Sequence, residues 1–263
     1  MTSPIALFTD FGADDWYVGV MKGVILTVNP DARMIDVTHA IPPQDIEAGG
    51  FAVLVSCAYL PPESVVLVVV DPGVGGSRAI MCARSGGRLF VFPDNGVLTE
   101  VVDRDGLEML VRVENRRFFR DPVSSTFHGR DIFAPVAAHL SLGLSPGDLG
   151  PEVDRFVRRR IGGPQAGEAY VKTRIRWIDG FGNLITDCPA RLVREISERW
   201  GGVSLDLGTP GVAPLADTYE ASERGSSFAI IGSSGFLEVS VREGSAAGKL
   251  DLHLGDTITL HRP

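Results

Sequence analysis

Residues 64–78 read Ser-Val-Val-Leu-Val-Val-Val-Asp-Pro-Gly-Val-Gly-Gly-Ser-Arg, and this stretch limits the fold more than any other. An unbroken, mostly β-branched apolar run predicts a strand of a sheet covered by helices, since no polar residue alternates along it. The run delivers Asp71 to its end. A turn that little but glycine and proline can make then brings Arg78 back beside it. A turn needing only geometry has no use for both charges, so the pair is a candidate for chemistry. A structural ion pair beside a tight turn is the competing reading. The matching piece is residues 125–131, Ser-Thr-Phe-His-Gly-Arg-Asp, where His128 sits among small and polar residues just before a predicted helix.

The surrounding pattern supplies the architecture. Residues 5–9, 34–37, 65–70 and 89–92 are short strand-like runs bounded by turn residues. Residues 15–28 repeat Trp16, Val20, Gly23, Val24 and Thr27 at helical spacing, and Asn29-Pro30 ends the run. Residues 46–59 place Phe51, Leu54, Val55 and Ala58 on one helical face, stopped by Pro61-Pro62. This βαβαβ order predicts an α/β domain over residues 1–160 with a mostly parallel sheet. Ligands of such sheets gather at the carboxyl ends of strands, where Asp10 and Asp71 both stand. The glycine-rich residues 161–168 read as a linker. Beyond it, residues 171–178, 203–207, 227–231, 237–241 and 257–261 are strand-like and only 190–200 reads as helix. A smaller, mainly antiparallel β domain is expected over residues 169–263.

Several function classes are disfavoured. With 44% hydrophobic and 22% charged residues, the 263-residue chain can bury a substantial core. A net charge of -8 argues against nucleic acid as a partner, and Arg158, Arg159 and Arg160 read as a solvated turn. Cys57, Cys82 and Cys188 are odd in number and far apart, which suggests neither a disulfide framework nor a zinc ribbon. With no leader pattern and no apolar stretch near ~20 residues, a cytoplasmic protein that does not engage a membrane is expected. Residues 9–12 contain Asp-Phe-Gly without the rest of a kinase signature, and residues 73–76 lack the lysine of a phosphate-binding loop. His39, His128, His139, His253 and His261 show no metalloprotease spacing, so no metal is expected, and His139 reads as a packed helix histidine. Asp15 and Asp131 could be helix caps, and Asn95-Gly96 a simple turn.

The ordered motifs TDFG, DVTHAIPPQDI, VVDPGVGGSR, PDNGVLT, TFHGRDIF, IDGFGN and GFLEVS make the chain similar to the S-adenosyl-L-methionine hydroxide adenosyltransferase family. These are S-adenosylmethionine hydrolases related to fluorinase and chlorinase, and the resemblance runs from Ile5 to the last strand. It implies an α/β domain followed by a β-barrel-like domain. It also implies hydrolysis of S-adenosyl-L-methionine to adenosine and L-methionine by activated water at C5′, with no cofactor. Three subunits would assemble with the small-molecule substrate at their interface. By the same resemblance Asp71, Arg78 and His128 activate water, and Asp10 binds the ribose hydroxyls. Asp14, Asp15 and Trp16 approach the methionine part, while Phe127 and Gly129 flank the reacting carbon. In the second domain Asp179, Ser233 and Ser234 correspond to amino-acid-end contacts, Asn183 to an adenine-edge contact and Tyr219 to an aromatic stacked on adenine. Arg242, Glu243 and Gly244 fall where backbone groups read adenine. The halogenating relatives carry tyrosine at the position of Asp71, no histidine at that of His128 and tryptophan at that of Gln44, which disfavours halide chemistry. Ser234 stands where the fluorinase has an arginine. A non-catalytic adenosine- or S-adenosylmethionine-binding module, a halogenase and a purely structural trimer are the rival readings.

Overall fold

The apolar run forms β3 (Val65–Val69), buried along its whole length. Side chains alternate across a strand, so its two faces feed two cores. Val65, Leu67 and Val69 join Met21, Ile25, Val136 and Leu140 in one of them. On the other side Val70 meets Gly49, where a Cβ would sit 3.1 Å from its Cγ2. Burying each such aliphatic side chain contributes about 1.5–3 kcal/mol.

The computed structural model describes residues 2–207 and 212–262. The chain divides into two units, Met1–Ile161 and Gly162–Pro263. The first contains β1 (Ile5–Thr9), α1 (Tyr17–Val28), β2 (Met34–Thr38), α2 (Ile46–Ser56) and then β3. It continues with β4 (Ile80–Ser85), β5 (Arg88–Pro93), α3 (Thr99–Asp105), β6 (Met109–Arg112) and α4 (Ala134–Ser141). The sheet order is β2-β1-β3-β5-β4-β6. The first four strands run parallel, and β4 is antiparallel to both its neighbours. The sequence reading did not foresee β4 and β6. The reversal is made by Gly86 and Gly87, at φ +53° and +72°, in a two-residue hairpin between Ser85 and Arg88. α1 and α4 pack together on one face of the sheet, and α2 packs with α3.

The second unit contains β7 (Gln165–Ala166), β8 (Tyr170–Ile178), β9 (Leu184–Pro189), α5 (Ala190–Trp200), β10 (Ser204–Asp206) and β11 (Val212–Pro214). β12 (Ser227–Ile231), β13 (Phe236–Val241), α6 (Ala246–Leu250) and β14 (Thr257–His261) complete it. Its antiparallel path is β11-β10-β14-β8-β9-β13-β12, and a bridge between Leu215 and Ala229 brings the two ends together, which makes it barrel-like. Two residues of the expected linker are strand instead, because Gln165 and Ala166 pair with Lys172 and Val171. α1 starts at Tyr17 with Trp16 at its cap, so Asp15 does not cap it. His139 packs edge-on against Phe118 at 5.1 Å, the packed-histidine outcome. No helix among the described residues is long and apolar enough to cross a membrane.

Candidate active site

Beyond β3 the chain turns sharply. Asn95 Nδ2 donates to the Val70 carbonyl at 2.9 Å and pins the strand end. Gly75 has φ +75°, and a Cβ on it would lie 2.1 Å from the Ser125 carbonyl oxygen. Only glycine lets this turn press against the loop that carries His128. Arg78 Nε donates to both Asp71 oxygens, at 2.9 and 3.0 Å, and Nη2 reaches Oδ2 at 2.5 Å. The same Nη2 lies 2.7 Å from His128 Nδ1. The side chains of Asp71 and Arg78 are only 5% and 11% exposed. Arg78 also stands over the Phe133 ring, 5.9 Å from its centre.

The hydrogen bond to Arg78 fixes the imidazole's proton. A guanidinium only donates, so Nδ1 must accept, and neutral His128 carries its hydrogen on Nε2. Burial, and then the Arg78 charge, hold the His128 pKa below the ordinary imidazole value, consistent with that neutral form.

The loop that leads to His128 is tied down by Asp131. This buried carboxylate accepts from Arg130 Nε at 2.6 Å and Nη2 at 2.7 Å, and from the Ser124 N–H at 2.8 Å. Burial alone would raise its pKa, but those donors bring it below the usual range. Asp131 therefore ties the loop to the π-helical turn Gly129–Phe133 and is not a helix cap. Gly129 sits tightly there, since a Cβ would come within 3.2 Å of Met21 Sδ and of Phe127 Cε2.

Asp10, just past β1, accepts the Gln44 N–H on Oδ2 at 2.7 Å. Burial raises its pKa, the Gln44 bond opposes this, and Asp71 adds to the rise. A cleft of about 330 Å³ joins these groups, and Asp10, Asp71, Phe127, His128 and Gly129 all line it. Phe11, Tyr17 and Gln44 also line it, with Phe127 edge-on to both Phe11 and Tyr17. The sequence reading did not place Phe11 or Tyr17 in the site, although both adjoin its acidic motif. Asp14, Asp15 and Trp16 lie exposed outside this lining. Among the described residues no group of three or more His, Cys, Asp or Glu side chains is arranged to hold a metal.

The second unit has its own cleft, about 520 Å³, lined by Phe181, Asn183, Tyr219, Val241, Glu243 and Gly244. Asp179 holds the turn that carries two of these residues. Its Oδ1 accepts the Phe181 and Asn183 N–H groups at 2.9 Å, and Oδ2 accepts Asn183 Nδ2 at 2.9 Å. The Tyr219 hydroxyl bonds to Glu238, a buried carboxylate that also receives Ser240 Oγ at 2.8 Å. Burial, and then Glu238, push the Tyr219 pKa up to about 12. Arg242 donates to the Ser222 carbonyl at 2.7 Å and so holds the turn that carries Tyr219. Glu243 pairs with Arg224. Ser233 is exposed, and Ser234 Oγ is buried without a partner among the described residues. Neither serine lines the cleft. Glu238 escaped the sequence reading because one carboxylate in a strand pattern carries no signal of its hydroxyl partners.

Comparison with known proteins gives one consistent family. Residues 5–150 match the SAM hydroxide adenosyltransferase N-terminal domain, and residues 173–259 match the C-terminal domain of the same family. A protein of Thermus thermophilus named (R)-S-adenosyl-L-methionine hydrolase is 37% identical, over 98% of this chain and 99% of its own. A fluorinase of Nocardia brasiliensis is 26% identical, over 97% of this chain and 95% of its own. The crystal structure of an uncharacterized conserved protein from Thermotoga maritima superposes with a TM-score of 0.93 at 36% identity, covering 98% of this chain and all of that one.

Proposed function

Since the chain belongs to the SAM hydroxide adenosyltransferase family, we propose that it hydrolyses S-adenosyl-L-methionine to adenosine and L-methionine by attack of water at C5′. The observation that carries this reading is the hydrogen-bonded Asp71–Arg78–His128 group lining or backing one cleft with Asp10. The water oxygen bonds to C5′ while the C5′–S bond breaks. The electron pair goes to sulfur, which leaves as a neutral thioether and needs no general acid. One water proton is released to solvent.

The tautomer of His128 decides its part. With Nδ1 taken by Arg78, the imidazole offers an N–H, not a lone pair, to the attacking oxygen. His128 and Arg78 then act as donors that stabilise hydroxide character, and Asp71 holds Arg78 in place. Preorganised donors of this kind contribute about 2.7–4 kcal/mol each to a transition state. Asp10 is the acceptor for the ribose hydroxyls, and Phe127 and Gly129 flank C5′. Asp14, Asp15 and Trp16 would meet the methionine part. In the second unit Tyr219 stacks on adenine, Asn183 and the backbone of Arg242, Glu243 and Gly244 read its edge, and Asp179, Ser233 and Ser234 meet the amino-acid end. Three copies would assemble, the second unit of one completing the site of the next. The (R)-form in the Thermus relative's name is extended to this chain as the preferred substrate.

The test is one incubation of purified protein with S-adenosylmethionine in oxygen-18 water, with products read by mass spectrometry. Adenosine labelled at its 5′-hydroxyl is expected, at a rate unchanged by a chelator and faster for the (R)- than the (S)-epimer. Unlabelled adenosine would overturn attack at C5′, and binding without turnover would make the protein an adenosine-binding module. Chloride-dependent formation of 5′-chloro-5′-deoxyadenosine would make it a halogenase, against which Asp71 and His128 both argue.

A further inference from the structure

Residues 36–45 carry one of the longest motifs in the chain, yet only Pro43 and Gln44 of that segment reach the cleft. His39 and Gln44 from this segment reach the loop that holds Asp10. His39 Nδ1 lies 2.8 Å from Thr9 Oγ1, and its Nε2 lies 2.9 Å from Asp36 Oδ1. Asp36 Oδ2 pairs with Lys22 at 2.5 Å. The His39 carbonyl accepts the Gly12 N–H at 2.8 Å, and the Gln44 N–H reaches Asp10 at 2.7 Å. Residues 9–12 are thus held from one segment at Thr9, at Asp10 and at Gly12.

The protons along this chain follow from the partners. Partial shielding from solvent would raise the Asp36 pKa, but Lys22 and then His39 hold it below the usual carboxylate range, so it is ionised and only accepts. His39 Nε2 therefore donates, and in the neutral ring Nδ1 accepts the Thr9 hydroxyl hydrogen. Hydroxyl, imidazole and carboxylate stand in the order of a nucleophile triad. Thr9 is completely buried, however, so its oxygen meets no substrate. What the relay can do is fix a backbone. Gln44 supports this reading, because it adopts φ +65°, a left-handed conformation unusual for a side-chain-bearing residue, while its N–H meets Asp10.

We propose that His39 is a positioning residue. Through Thr9 and its own carbonyl it holds the 9–12 loop so that Asp10, anchored on Oδ2 by Gln44, keeps Oδ1 directed to a vicinal diol. That the diol is a ribose rests on the hydrolase reading.

The test compares Thr9→Val, which removes the hydroxyl at nearly constant shape, Thr9→Ser, which keeps it, and His39→Ala. The readouts are KM and kcat with S-adenosylmethionine, adenosine Kd by calorimetry, and hydrogen exchange in residues 9–12. Thr9→Val and His39→Ala are expected to raise KM and Kd about tenfold, the worth of one good hydrogen bond, with kcat changed by less than about threefold. Thr9→Ser is expected to behave as the parent, and exchange in 9–12 to accelerate only in the other two. Unchanged KM in Thr9→Val, or a fall in kcat at constant KM, would overturn the proposal. If the parent binds no adenosine, the hydrolase reading falls. The exchange arm then decides the positioning role alone: faster exchange in Thr9→Val supports it and unchanged exchange rejects it. Should His39→Ala fail to fold, the two Thr9 variants carry the same comparison.

Discussion

Arg78 touches both Asp71 and His128, so its shape matters as much as its charge. One guanidinium edge spans the Asp71 carboxylate while Nη2 reaches His128 as well. A lysine ammonium has no such fork. Arg78→Lys is expected to lower kcat about 10²–10³-fold with adenosine affinity little changed, measured by steady-state kinetics and calorimetry. Asp71→Ala leaves a guanidinium buried without its counterion. Urea denaturation should show a loss of about 3–5 kcal/mol, together with loss of turnover. The pH dependence follows from His128. Its pKa is lowered in the folded chain by burial and by Arg78, so the neutral acceptor persists to a pH below the ordinary imidazole value. Below that folded-state pKa, Nδ1 gains a proton and confronts the Arg78 donors. Turnover should therefore be full above the lowered pKa and fall on its acid side. Stability carries the same sign: the unfolded chain takes up this proton first, so the contribution is complete above the unfolded pKa and declines as pH falls through it. A kcat profile that rises with acid would contradict the tautomer assigned here.

At the scale of elements, the geometry of the Asp71–Arg78–His128 group depends on two connections meeting at a glycine. The turn after β3 and the loop before the π-helical turn touch where Gly75 faces the Ser125 carbonyl, at a distance that excludes any Cβ. Gly75→Ala is expected to cost about 2–5 kcal/mol, combining the left-handed φ with overpacking. It should also cut turnover about 100-fold or more, since the turn must shift by the order of an ångström. Gly87→Ala is the control. It has a similar φ of +72° but open space around its would-be Cβ, so only about 1–2 kcal/mol should be lost and turnover kept. Equal activity losses in the two variants would show that the contact with Ser125 is unimportant. The glycine pair Gly49-Gly50 plays a packing part instead, letting α2 approach Val70 and the Val97 carbonyl.

At the scale of the whole molecule, large aromatic side chains stand in solvent close to each cleft. Trp16, 69% exposed, packs on the cleft residue Tyr17, and Phe181, 81% exposed, lines the second cleft. Exposed aromatic surface at a binding site suits burial by another copy. Light scattering is expected to give three times the 28.2 kDa chain mass, and a monomer with full activity would reject the assembly proposed above. Much of the architecture was legible beforehand, because strands and helices write their periods into the chain. The valine run became β3, and residues 190–200 became α5 with the expected bounds. β4 escaped, although Gly86-Gly87 between two apolar runs is a hairpin signal. The site was only half legible. The acidic and glycine-rich turns marked Asp10, Asp71 and Arg78 as candidates, with His128 beside them, since local chain geometry sets where a strand ends and what its turn demands. That His128, fifty residues further along, gives its Nδ1 to Arg78 was decided only in three dimensions. So were the inward face of Tyr17 and the relay from buried Thr9 through His39 to exposed Asp36. Sequence fixes local conformation through sterics and burial periodicity, whereas a proton's location depends on which distant donor the finished packing brings within hydrogen-bond reach.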